Sequence, residues 1–373
     1  MKKTLLILYV LLSGALLSSC RGELFSGHRD MEHLRPVQTL GFDAEGDTYT
    51  MSISTGAGPD DTPPLVMKAT APGIESAAAH LQDWSPEDEL FYAHIRIILL
   101  GQSMADGRSE GIETVLDWVE RSPSMRMDTP LILIRGRADE AVIGALGDAT
   151  DVTERLASLE RFYRAQGGSL STLRQTACSL LERGWALCLA AALYPDEGTN
   201  FTKTENSLAI VPAGLALLRP TEEGIRANWL TRNESMGTEL LRGNVTGTPI
   251  PLEEGTLELI RGSAVASGIW AEDGTPMGLY IRCELLAGIL EREGGATEEA
   301  LTAELSEAAE GWLRDTAERS AALGCDFAGL ADAMRKNAPG RGRNSRITDD
   351  VLFSLPVIVS VDARIASSYD LSE

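Results

Sequence analysis

The sequence predicts a mixed α+β chain of more than one domain, and three observations carry that reading. Its 373 residues exceed the size at which a single core usually stops growing, so two or three domains fit better than one. Between residues 95 and 134 an apolar run, a helical periodicity and a second apolar run follow one another, the order of a sheet covered by helices. Beyond the polar stretch from Pro195 to Asn206 the signals turn to strands, and one long helix stands near the end.

Taken in order, residues 21–35 are polar and read as a tether. Val37 to Phe42 and Tyr49 to Ile53 form two strands around an acidic, Gly-ended turn. Thr55 to Pro64 is a loop. A helix over 74–84 places Ile74, Ala77, Ala78 and Leu81 on one face. Ile95 to Leu100 is a buried strand. Ile112, Val115, Leu116 and Val119 mark a helix that stops before Pro123, and Leu131 to Ile134 is the next strand. Two helices follow, one with Leu156, Leu159 and Phe162, the other with Leu170, Leu173, Ala177 and Leu180. Ala186 to Leu193 is a strand.

In the second half, strands run over Leu208 to Leu218, Ile225 to Leu230 and Leu257 to Ile260, and Met277, Leu279, Ile281 and Cys283 alternate strictly. A helix spans about 297–323, with Leu301, Leu305, Ala308, Trp312 and Leu323 inward, Glu298 and Glu299 at its positive end and Gly324 as its C-cap. A shorter helix starts at Asp326 with Phe327, Leu330 and Met334 inward. A strand from Val351 to Val361 closes the chain. No run is long and apolar enough to span a membrane once the N-terminal segment is set aside.

The formal charge is −22, from 33 basic and 55 acidic residues, with a pI near 4.6. That excludes a nucleic-acid binder working by phosphate neutralisation, and the body would be repelled by anionic lipid. The 43% hydrophobic content is ordinary for a globular protein and argues against disorder.

The N-terminus supplies the attachment that charge cannot. Lys2 and Lys3, an apolar run from Leu5 to Leu17, and Leu17-Ser18-Ser19-Cys20 read as a secretory signal ending in a lipobox. Residues 1–19 are then the signal peptide, and Cys20 is diacylated and becomes the mature N-terminus. Two acyl chains suffice for stable anchoring where one is marginal. Removing 1–19 takes away two lysines and no acid, leaving the body two units more negative. The other cysteines, Cys178, Cys188, Cys283 and Cys325, match no zinc spacing and sit in apolar contexts, as buried free thiols would.

No catalytic constellation assembles. His28, His33, His80 and His94 form no HExxH or HxH pair, and His94, before an apolar strand, reads as a structural histidine. Gly101-Gln102-Ser103-Met104-Ala105 lacks the closing glycine of a nucleophile elbow. Neither GxGxxG nor a P-loop occurs. Acidic pairs such as Asp60-Asp61 and Asp349-Asp350 are expected to be solvated surface. No cofactor or metal is expected. One local reversal of charge stands out: Arg335, Lys336, Arg341, Arg343 and Arg346, interrupted by Pro339, Gly340 and Gly342. Besides a solvated loop, it reads as a contact for lipid headgroups or an acidic partner.

These segments, in this order, resemble the Ger(x)C family, the lipoprotein C subunits of bacterial spore nutrient-germinant receptors. After the lipidated cysteine, Leu40-Gly41-Phe42-Asp43 with the Tyr49 strand is similar to the family's early hairpin. Phe91 to Arg126 is the most specific stretch. Its His94, Gly101, Leu116-Asp117-Trp118 and Arg121 to Arg126 stand at the family's strand histidine, Gly turn, "LDF" helix and "RDPEIR" turn. Leu208 to Leu218, Cys325-Asp326-Phe327 after the long helix, and Val357 to Ile365 continue the likeness over the mature chain. Two departures are Arg21-Gly22 in place of Trp-Asp, and the basic loop near Arg341 in place of a Trp-containing segment.

The resemblance implies three small sheet-plus-helix domains, drawn here as 36–150, 151–255 and 256–373 after a tether at 20–35. It also implies a non-enzymatic receptor subunit, anchored on the outer face of the cytoplasmic membrane, the spore inner membrane. Its partners would be A-type and B-type (transporter-like) subunits, and its output spore germination. The alternative is a solute-binding lipoprotein of an importer, which needs two lobes of regular strand–helix alternation; the sequence offers that alternation only in part.

Overall fold

The structure is a computed structural model, and it describes residues 34–55, 65–86, 88–107, 111–143, 171–193, 210–243, 245–336, 338 and 347–366. Of the loop expected from Thr55 to Pro64, residues 56–64 lie outside the described residues and Thr55 ends a strand; the helix around Leu156, the polar stretch 195–206 and Cys20 also lie outside them. No described helix is long and apolar enough to cross a membrane.

The chain opens with the expected hairpin, β1 (Leu34–Glu45) against β2 (Thr48–Thr55), turned at Gly46 with φ +58°. β3 (Val66–Ala71) adds antiparallel to β2, and α1 (Ile74–Asp83) buries Ile74, Ala77 and Leu81. A short β4 (Glu89–Phe91) pairs with the start of β1, and β5 (Ile97–Gly101) lies parallel to β1. α2 (Ile112–Arg121), β6 (Leu131–Arg135), α3 (Ala138–Ile143), α4 (Leu173–Arg183) and β7 (Ala186–Ala192) follow. β5, β6 and β7 are parallel, and β5 and β7 are buried along their whole length. A strand covered on both faces has no use for polar alternation, which is why these segments read as continuous apolar runs.

β8 (Val211–Pro220) and β9 (Ile225–Trp229) complete a nine-stranded sheet of order β3-β2-β1-β5-β6-β7-β8-β9, with β4 alongside β1. This sheet draws on residues from both sides of position 150. α5 (Arg232–Arg242) then leads to a four-stranded sheet of order β10 (Thr248–Leu252), β11 (Gly255–Trp270), β12 (Pro276–Arg292), β13 (Val357–Ile365). β12 and β13 are parallel, joined through α6 (Glu298–Leu323), α7 (Leu330–Lys336) and α8 (Asp349–Ser354).

Two hydrophobic clusters hold these layers. Leu40, Phe42, Ile98, Leu100 and Leu133 pack on one face of the large sheet against α1 and α2. On the other face, Ile97, Leu99, Ile132 and Ile134 belong to a cluster that continues through Leu240 to Leu257, Ile281 and the inner side of α6. Fully buried Leu301, Leu305 and Leu313 on α6 each contribute about 1.5–3 kcal/mol by leaving water.

Several expectations change. The short helix begins at Leu330 rather than Asp326, because the Asp326 carboxylate accepts the N–H groups of Leu330 and Ala331, both at 2.8 Å, and caps it from outside. Residues 349–354 are helical, with Asp349 and Asp350 in the first turn, so the terminal strand starts at Val357 and not Val351. Ala309 takes the buried position assigned to Ala308, which is half-buried. His94 is exposed and rests against the Phe91 ring, with centroids 5.4 Å apart. Cys178 is exposed, whereas Cys188, Cys283 and Cys325 are buried free thiols.

Candidate functional site

The end of α4 supplies the first wall of a cleft. Arg183 occupies its last turn, Gly184 takes the left-handed conformation (φ 73°, ψ 16°), and the Arg183 guanidinium lies over the Trp185 ring at 5.4 Å. Arg219, on β8, donates to the Leu323 carbonyl, one of the free acceptors at the C-terminus of α6. Gly324 follows in the left-handed region (φ 58°, ψ 40°), which reverses the chain into Cys325 and Asp326. Arg242 stands in the last turn of α5. With Arg335, these arginines line a cleft of about 620 Å³ between the end of the large sheet and the α6–α7 corner.

Its carboxylates are Asp326, Asp332 and Asp349. Burial pushes Asp326 above the ordinary carboxylate range, against the N–H groups of α7 that pull it down. Asp332 pairs with Arg335. Among the described residues, Arg183, Arg219 and Arg242 have no carboxylate within ion-pair distance. Burial raises the Cys325 thiol to about 11, so it stays protonated near neutrality and is a poor nucleophile. The cleft therefore gathers four guanidinium groups and three carboxylates around a thiol that stays protonated.

Of the five basic residues singled out in the sequence, Arg335 lines this cleft and Lys336 lines a second cavity of about 250 Å³ with Leu241, Val265 and Ala333. Arg341, Arg343 and Arg346 lie outside the described residues. The arginines that sequence reasoning missed, Arg183, Arg219 and Arg242, come from three separate elements. No local pattern announces them; only the fold brings them together.

A second polar cluster is structural. Asp43, buried at the end of β1, accepts the N–H groups of Ala138 (2.9 Å) and Asp139 (2.8 Å) at the start of α3. Asp139, also buried, takes two hydrogen bonds from Arg137 at 2.8 and 2.9 Å and one from Lys68 at 3.1 Å. Ser103 Oγ accepts the Ala44 N–H at 3.0 Å, so this serine ties β1 to the turn after β5. Among the described residues no three His, Cys, Asp or Glu side chains are grouped to hold a metal ion.

Comparison with known proteins follows the same lines. Residues 27–176 match the model of the spore germination protein N-terminal domain. The chain is similar in fold to the crystal structure of the GerBC protein, with a TM-score of 0.52 and 14% identity over 91% of this chain and 100% of that one. No curated protein matches. Residues 27–176 span the hairpin, α1, β5 and α2, the segments on which the resemblance drawn from the sequence chiefly rests.

Proposed function

We propose that this chain is the C subunit of a nutrient-germinant receptor, a non-enzymatic lipoprotein that signals together with A-type and B-type membrane subunits. The match of residues 27–176 to the spore germination domain is the observation that carries the reading. The physical rationale is confinement. An acidic body of charge −22 gains nothing from an anionic bilayer, so it needs a covalent anchor. Diacylation at Cys20 would hold it on the outer face of the cytoplasmic membrane, the spore inner membrane, and raise its local concentration beside embedded partners, so that a weak interface is still occupied.

The test is Cys20→Ala at the native locus. The reading expects the chain to leave the membrane fraction and the spores to respond more slowly to nutrients. Normal germination with a fully released chain would overturn the anchoring mechanism.

A further inference from the structure

The arginine cleft is a feature that the receptor reading does not use. Its four guanidinium groups stand in a protein whose net charge is −22, so a random surface would rarely collect them. One is neutralised, since Arg335 pairs with Asp332. Asp326 is spent on the N–H groups of α7. The lining thus sets four guanidinium groups against the carboxylates of Asp326, Asp332 and Asp349, an excess of one positive charge, with donors left open on Arg183, Arg219 and Arg242.

The three are held in different ways, each leaving donors open. Arg183 is oriented by its stack on Trp185, which occupies the face of the guanidinium and leaves its edge N–H groups available. Arg219 is half-buried and fixed by a bond to the Leu323 carbonyl. Arg242 projects from the end of α5 into the same cleft wall. A monocarboxylate is satisfied by one bidentate arginine. Three cations around one cavity match a group carrying nearly two charges and three strong acceptor oxygens, which is a phosphate monoester or inorganic phosphate.

We propose that the cleft bounded by Arg183, Arg219 and Arg242 is a phosphate-binding site, taking either free phosphate or the phosphate of a lipid headgroup. It rests on the cleft alone and does not depend on the receptor assignment. The test titrates the full chain with inorganic phosphate by calorimetry, in wild type, in Arg183→Gln/Arg242→Gln, and in Arg126→Gln. Arg126 is exposed, paired with Asp128 and not among the residues that line the cleft, and serves as the control. Losing a charge-assisted bond weakens binding by about tenfold. The expected result is saturable phosphate binding, at least about tenfold weaker in the double variant and unchanged in Arg126→Gln. Both substituted arginines are exposed, so an unchanged unfolding midpoint checks that the fold is intact. Competition by dihexanoyl phosphatidic acid would assign the site to a headgroup; phosphate binding without that competition would assign it to the free anion. Absence of saturable binding, or equal affinity in the double variant, would overturn the proposal.

Discussion

The Asp43 carboxylate occupies the space in which a side chain on Gly101 would stand. A Cβ at Gly101 would fall on Asp43 Oδ1 and lie 3.1 Å from the Ala138 nitrogen that this oxygen accepts from. Glycine at the end of β5 is therefore the condition for a bond that joins β1 to α3 across 95 residues of sequence. Gly101→Ala must displace a buried carboxylate from two backbone donors, and the expected loss is about 2–4 kcal/mol. Equilibrium urea unfolding measures it, as a lower midpoint at unchanged slope.

Asp139 gives the same corner a pH dependence. Burial raises its pKa, but hydrogen bonds and charge from Arg137 and Lys68 outweigh that and hold the carboxyl below its ordinary value of 3.8. A carboxylate depressed in the folded state adds stability above its unfolded pKa and loses it as pH falls through the folded one. Wild type should exceed Asp139→Asn by about 1–2 kcal/mol near neutrality, a modest figure because both partners reach solvent. The gap should shrink below pH 3.8. Asp43 works in the opposite direction: its burial-raised pKa favours the fold below 3.8, and that contribution fades as pH rises through the folded value. Unfolding midpoints of both proteins between pH 3 and pH 7, compared pairwise, isolate the Asp139 contribution.

Gly237 sets the distance between α5 and α6. A Cβ there would strike the Trp312 carbonyl and the Thr316 hydroxyl, which itself bonds the Glu234 carbonyl at 3.0 Å. Gly237→Ala forces the helices apart and should cost about 1–3 kcal/mol, although alanine is the better helix former in isolation. A higher unfolding midpoint in this variant would show that propensity outweighs the contact.

The thiols should separate by accessibility. Cys178 is exposed on α4, whereas burial raises Cys188 and Cys283 to about 12 and Cys325 to about 11. Iodoacetamide at mild alkaline pH should modify Cys178 within minutes and leave the other three until urea unfolds the chain. Mass spectrometry of tryptic peptides reads the order directly.

Legibility followed the strength of the local pattern. β5, α2 and β6 were readable because buried strands are apolar throughout and the helix shows a clean face ending before Pro123. α6 was readable from its charged first turn and Gly324. α5 was missed although Thr231 and Glu234 form a capping box, because its buried positions are Ser235, Gly237, Thr238 and Leu240 and only one is strongly apolar. β3 was missed because a short edge strand with Lys68 and Thr70 carries little hydrophobic signal. Of the cleft's four arginines only Arg335 stood in the basic run singled out in the sequence; the other three are scattered and become neighbours only through the fold.

The most direct test of the receptor assignment is co-purification from spores. The full chain, carrying an affinity tag at its C-terminus, is isolated from detergent-solubilised spore inner membrane and its companions are identified by mass spectrometry. The account predicts A-type and B-type receptor subunits in comparable amounts. Recovery of the chain from that membrane with neither subunit would contradict it.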